Sequence, residues 1–264
     1  MSYWLEKFTP TGESDYALPT RMPHSDVGGL KRRDASVDTA AGNYDAFGAE
    51  QLTIARTPLT HRGIIKATSA AALVTAKRAA LKIAGKTGKL YRLWDGGTVR
   101  EWVNARCLDV SAVRRIENVL HEELEFAFVA LSPAWNGTVH DDDFTINASP
   151  KNITVANAGD ARVLNAQITV TAGSAAITAV TLATGSAELT YSGTIAISKA
   201  LVIDCGALSV KNDGAAAYAD FTWTGSHTTR WWFPLASGNN TVTVTLTGGS
   251  TDSVVNFQYY DGWH

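Results

Sequence analysis

Residues 90–137, LYRLWDGGTVREWVNARCLDVSAVRRIENVLHEELEFAFVALSPAWNG, constrain the fold of this chain more than any other stretch. A strand-like run reaches Asp95-Gly96, and a second run carries Trp102, Ala105 and Arg106. Asp-Gly between alternating apolar residues is a strong hairpin signal, because both turn positions need backbone angles that Asp and Gly tolerate. After a charged connection, Leu124, Phe126, Phe128 and Ala130 alternate along one face of a further strand, and Pro133 ends it. Trp135 follows, where a large ring can cover the end of a core. The stretch predicts a β-sheet with a buried aromatic face, stabilised by Phe128 and Trp135.

Charge divides the chain unevenly. Residues 1–137 hold 18 Lys/Arg against 15 Asp/Glu, a balance of +3, whereas residues 138–264 hold 5 against 10, a balance of −5. With 264 residues there is room for two ordinary domains, and the shift predicts domains at residues 1–137 and 138–264. Residues 136–144, including His140-Asp141-Asp142-Asp143, read as a solvated linker between them. Neither half has the Lys/Arg-dense face of a nucleic-acid binder. Lys31-Arg32-Arg33 is short and is followed by Asp34, so it reads as a solvated loop.

In the first half, residues 9–50 are rich in Gly, Pro, Asp, Ser and Thr and predict loops with short strands. Residues 51–56 and 64–67 each suggest a strand. Residues 69–84, SAAALVTAKRAALKIA, predict the one long helix, because Ala has the highest helix propensity. Thr68 or Ser69 serves as N-cap, and Leu73, Val74, Lys77 and Leu81 form the expected inward stripe. Lys82 and Lys86 suit the negative end of the helix dipole, and Gly85 is placed to end the helix. The half reads as a β-barrel or sandwich with one α-helix.

The second half reads as all-β. Period-2 patterns succeed one another: Leu164-Ala166-Ile168-Val170, Ile195-Ile197, Leu201-Ile203-Cys205, Leu208-Val210, Phe221-Trp223, Val242-Val244-Leu246 and Val255-Phe257-Tyr259. Glycines and Asp213-Gly214 punctuate them at sandwich-like spacing. The chain closes on Pro234-Leu235, Gly238-Asn239-Asn240, and Tyr259 with Trp263.

Two of these patterns resemble one family. The order Leu-Tyr-Arg, Asp-Gly, Trp, Ala-Arg-Cys-Leu, Phe-x-Phe, Pro-x-Trp-x-Gly over residues 90–137 is similar to the end of the N-terminal domain of siphophage distal tail proteins. The order Pro-Leu-x-x-Gly-x-Asn, alternating strand, Tyr-x-x-x-Trp over residues 230–263 is similar to the end of their galectin-like C-terminal domain. The resemblance implies a Gly-Asn hairpin whose two final strands complete one sheet. It implies a virion structural protein made in the host cytoplasm, whose N-terminal (belt) domains form a hexameric ring at the tail tip, in the baseplate. The implied partners are other copies of the chain, the tail tube protein, the tail-tip hub protein and a receptor-binding or side-fibre protein. Phage DNA would pass through the ring without specific binding. The family carries no catalytic residues and no cofactor, so an enzyme is not expected.

The residues themselves add little chemistry. Three consecutive aspartates do not match the alternating ligands of a calcium loop, and no two histidines stand at metal-ligand spacing. No Gly-x-Ser-x-Gly occurs. Neither Gly28-Gly29 nor Gly85-Lys86-Thr87-Gly88 has phosphate-loop spacing. Cys107 and Cys205 read as buried thiols in strands, with a disulfide between them as the alternative. Trp223, Trp231 and Trp232 are the candidate glycan or partner contacts, since exposed rings can stack on sugars; adjacent strand residues face opposite ways, so at most one of Trp231 and Trp232 need be exposed. A glycan-binding module for receptor recognition is therefore the alternative function. A polysaccharide hydrolase needs paired carboxylates, and the second half holds one Glu, Glu188.

Overall fold

The computed structural model describes residues 3–21, 32–33, 36–39, 42–45, 53–54, 58–94, 99–116, 120–132, 134–185, 187–224 and 232–263, with backbone alone at 3, 20–58 and 114–116. The Asp95-Gly96 turn, Gly28-Gly29, Pro133 and Trp231 lie outside the described residues. The chain forms two compact units, Met1–Trp135 and Asn136–Trp263.

The first unit opens with β1 (Tyr3–Pro10), β2 (Tyr16–Ala17), β3 (Thr20–Arg21), β4 (Arg32–Arg33), β5 (Ser36–Thr39), β6 (Gly42–Asp45) and β7 (Thr53–Ile54). It continues with β8 (Pro58–Lys66), α1 (Ala70–Leu81), β9 (Thr87–Trp94), β10 (Arg100–Ile116) and β11 (His121–Ala130). β4 pairs with β7 and β5 with β6, apart from the main sheet. In that sheet β1, β9, β10, β11 and β8 follow one another, all antiparallel. Residues 16–21 close it, because β2 pairs with β1 and β3 pairs with β8. The closing segment runs very close to β8: a Cβ on Gly63 would stand 2.7 Å from the Pro19 carbonyl oxygen, so only glycine fits there. The His61 imidazole, buried, reaches the same oxygen at 2.8 Å.

Inside the closed sheet Phe8 of β1 meets Phe128 of β11 at 5.2 Å, and Tyr16 meets Phe126 at 6.1 Å. Leu124, Phe126, Phe128 and Ala130 are all buried, as their alternation predicts. The charged connection expected after Arg106 is instead strand: β10 runs 17 residues and stays paired with β11 to Ile116. Charge on the solvent-facing side of a strand does not interrupt backbone pairing.

Helix α1 begins at its Ser69 cap, whose hydroxyl accepts from Ala72 N at 3.1 Å. Its inward stripe differs from the expected one. Leu73 and Ala80 are buried, Val74 and Leu81 are exposed, and Lys77 pairs with Glu122 of β11. Gly85 adopts φ +80°, but its N–H donates to Cys107 O of β10 rather than to the helix.

The unit's core contains a charge. Arg92 of β9 and Glu101 of β10 are cross-strand partners, 1% and 2% exposed, joined Nε to Oε2 at 2.5 Å. The Trp94 indole N–H donates to Glu101 Oε1 at 2.9 Å. The guanidinium lies over Trp135 at 4.4 Å and over Trp94 at 4.9 Å. Sequestered ions need pairing and flat aromatic neighbours to offset lost hydration.

The second unit continues with β12 (Trp135–Ile146), β13 (Lys151–Asn157), β14 (Gln167–Thr171), β15 (Ile177–Thr184), β16 (Ala187–Tyr191) and β17 (Ala200–Asp204). Then come β18 (Ser209–Asn212), β19 (Ala215–Ala216), β20 (Phe221–Thr224), β21 (Gly238–Gly248) and β22 (Ser253–Trp263). Two antiparallel sheets result, one ordered β19-β18-β17-β14-β22-β12 and the other β13-β21-β15-β16-β20. Their inner faces share one apolar core, including Ile168, Val170, Leu182, Leu201, Val244 and Phe257. Thr241, Thr243, Thr245 and Thr247 alternate with the buried Val242, Val244 and Leu246 along β21. Asp213 and Gly214, at φ +48° and +81°, make the two-residue turn between β18 and β19.

Several expectations need correction here. Residues 136–144 form part of β12 and not a linker. β21 pairs with β13 and β15 while β22 pairs with β14, so the two final strands lie in different sheets. Leu164 stands outside strand, Ile197 is exposed, and Leu208 turns at φ +52°. Cys205 follows β17 in a turn; it and Cys107 are both free and buried, and burial pushes each thiol up to about 12. Asn240 clamps the closing segment: its side-chain N–H group donates to Ala236 O at 3.0 Å and Gly238 O at 3.1 Å, while its oxygen accepts from Ala236 N at 2.8 Å. The Pro-Leu-x-x-Gly-x-Asn pattern is therefore a structural device.

Candidate interaction surface

The second unit gathers four aromatic rings at one rim. A short 3-10 turn, Tyr218–Asp220, leads into β20, which among the described residues pairs only with β16. Phe221 lies 4.8 Å from Trp232, Trp223 5.7 Å from Trp232, and Tyr218 meets Trp232 edge-on at 6.0 Å. Trp232 is 6% exposed and forms the floor of the group. Trp223 is 51% exposed and Tyr218 49%.

Trp223 is exposed for a positional reason. It is opposite Leu189 in register, and Leu189 is buried, so both point to the core side of the sheet. Among the described residues β20 is the last strand of its sheet, and none of them forms a further strand over the indole. Period-2 reading places Trp223 correctly on the inward face but cannot see that the sheet ends there. Sequence reasoning missed Tyr218 and Asp220; their only signal is an aromatic and an acid just ahead of a predicted strand.

His140 and the aspartates beside it belong to a different arrangement. On β12, Asp141 and Asp143 both accept from the Asn256 side-chain N–H group, at 2.7 and 2.9 Å. The His140 ring stacks on Tyr259 at 4.7 Å with 9° between planes. Its Nε2 is 3.1 Å from Asp261 Oδ1 but outside hydrogen-bond geometry. Tyr259 donates to Ala156 O at 2.5 Å, and burial, with Asp142 nearby, raises its hydroxyl pKa. These contacts tie β12 to β22. No group of three His, Cys, Asp or Glu suited to a metal ion occurs among the described residues.

Gly85-Lys86-Thr87-Gly88 forms the entry to β9, where Lys86 pairs with Glu13. Among the described residues no helix is long and apolar enough to cross a membrane.

The crystal structure of SPP1 Dit (gp 19.1), described as a paradigm of the hub adsorption apparatus in phages infecting Gram-positive bacteria, aligns over 98% of both chains with a TM-score of 0.63 at 10% identity. The chain has the fold of a phage Dit protein. Two structures of the phage P2 baseplate in its activated conformation, with Ca and with Sr, also align over 98% of both chains at 8% identity. Their TM-scores are 0.46 and 0.47, too low to add to the fold assignment. No family model and no curated protein matches the sequence. The Dit fold is thus reached with little sequence in common.

Proposed function

We propose that this chain is a structural component of a phage tail tip, a distal tail protein that joins the tail tube to the tail-tip hub. The observation that carries the reading is the Dit fold over 98% of both chains. In this reading residues 1–137 build a hexameric ring through contacts that close by rotation. Residues 138–264 form a galectin-like module that docks a receptor-binding or side-fibre protein. The closed sheet of the first unit supports it, since a sheet without long free edges resists open-ended strand pairing. The protein is made in the host cytoplasm and resides in the virion, and its role needs neither catalysis nor a cofactor.

Negative-stain imaging and mass in solution test this on the full chain, alone and mixed with tube and hub proteins of the same phage. A sixfold ring is expected in at least one of these samples. A protein that stays monomeric in all of them overturns the reading.

A further inference from the structure

Helix α1 is tied down at both ends. Ahead of it the Ala67 N–H donates to Leu120 O. Behind it the Gly85 N–H donates to Cys107 O, and the Cys107 N–H donates to Lys86 O. Between these anchors the helix rests on β8 and β10, yet of its own residues only Leu73 and Ala80 are buried. Twelve residues make a marginal helix in water, so docking must hold this one. Ala80 adds little apolar area to that docking. The helix also leaves space beside it: a groove of about 490 Å³ separates Ala76 and Ala79 from Leu18, Pro19, Ile65 and Lys66. Segment 16–21 pairs with β8 only at Gly63 and Ile64, so among the described residues no strand fills the groove at Ile65 and Lys66.

We propose that α1 is a salt-sensitive strap, which lifts from the first unit as one piece while the sheet stays paired, with Lys77 and Glu122 as its latch. The latch joins the helix to β11, and its side chains are 37% and 10% exposed. Dissolved ions screen a pair whose ammonium meets water, whereas Arg92 and Glu101, at 1% and 2%, are out of their reach. No pairing of the main sheet uses a residue of α1, so lifting costs the sheet none of its ladder hydrogen bonds. The short inward stripe leaves few apolar contacts to break, and the groove gives the helix room to move. The device works within a single copy and does not rest on the tail-tip reading.

Amide hydrogen exchange of the full chain, at several low urea concentrations, tests this. The bonded amides from Leu73 to Lys82 are expected to exchange at one shared opening rate, faster than the middle of β10 and β11 and with a weaker urea dependence. Raising salt from about 0.05 M to about 1 M should speed α1 about threefold. Lys77→Met should speed it about tenfold, because docking then buries Glu122 without its cation, and should abolish the salt response. The same variant should speed β10 and β11 as well, since unfolding of the whole unit also breaks the latch. Ala76→Leu, which extends a side chain into the groove, should slow α1 about fivefold. Exchange of α1 at the rate and urea slope of β10 and β11 overturns the proposal, and so do rates graded along the helix, the mark of fraying. An α1 rate unmoved by salt or by Ala76→Leu overturns it too, and these two arms decide alone if Lys77→Met does not fold. So does a Lys77→Met protein in which β10 and β11 speed up but α1 does not, because the latch then stays closed when the helix exchanges.

Discussion

The two units solve the same problem, a stable antiparallel β core, with opposite materials. The first buries an ion pair, Arg92 with Glu101, between Trp94 and Trp135, and laces its surface with Lys7–Asp15, Arg62–Glu125 and Arg100–Glu6. The second packs apolar side chains between two sheets and covers itself with threonine. Apolar packing tolerates adjustment, because many arrangements of similar volume bury the same area. A buried ion pair tolerates little, because each partner is costly without the other. The first unit should thus fail abruptly when one residue changes, and the second gradually.

The largest expected effect follows directly. Arg92→Ala should destabilise the first unit by about 3–5 kcal/mol, since it strands Glu101 in the core. Replacing both partners with apolar residues, Arg92→Met with Glu101→Leu, should recover most of the loss. Calorimetry of the three proteins checks this, and a double variant as unstable as the single one would break the comparison. In the second unit the corresponding weak point is a clamp rather than a charge. Asn240→Ala should cost about 1–3 kcal/mol by leaving backbone groups around Ala236 unpaired, measurable by urea unfolding.

A smaller effect should appear in acid in both units. Hydrogen bonds from Lys7 and Thr9 hold the Asp15 carboxyl below its ordinary 3.8, and those from Ser250 and Ser174 do the same for Asp252. Folded values below unfolded ones mean this stabilisation is complete above about pH 4 and is lost as pH falls through the lowered values. Asp15→Asn and Asp252→Asn should each lower stability at pH 7 and flatten the acid side of the stability–pH curve, with the difference from the parent vanishing as pH falls through the lowered values. The smallest expected signal is a null one. Cys107 and Cys205, buried and raised to about 12, should resist a thiol reagent at neutral pH in the native protein and react in denaturant.

What the sequence disclosed was local and periodic. The face of β11, the alternation of β21 and β22, the Ser69 cap and the Asp213-Gly214 turn were all legible, because each depends on neighbours a few residues away. Arg92 and Glu101 were not, since a charge in a strand reads as solvent-facing until its cross-strand partner is known. The aspartates of β12 misled for the same reason: Asn256, which receives them, is far along the chain. β2 and β3 span two residues each, too few for any period to register. At the candidate site, the sequence supplied Trp223 and Trp232 but not their difference in exposure, which depends on where the sheet stops.

The seam at Tyr16–Arg21 has a kinetic consequence. It is fastened by two residue pairs to β1 and two to β8, with Thr20 reaching across the chain to Ile64. A join this short between distant segments forms late, because loop-closure entropy precedes any gain from contact. It should also open first, by fluctuations smaller than global unfolding. Amide exchange should then be faster at Ala17, Leu18 and Gly63 than at the middle of β10 and β11, so that the cylinder breathes along a single line.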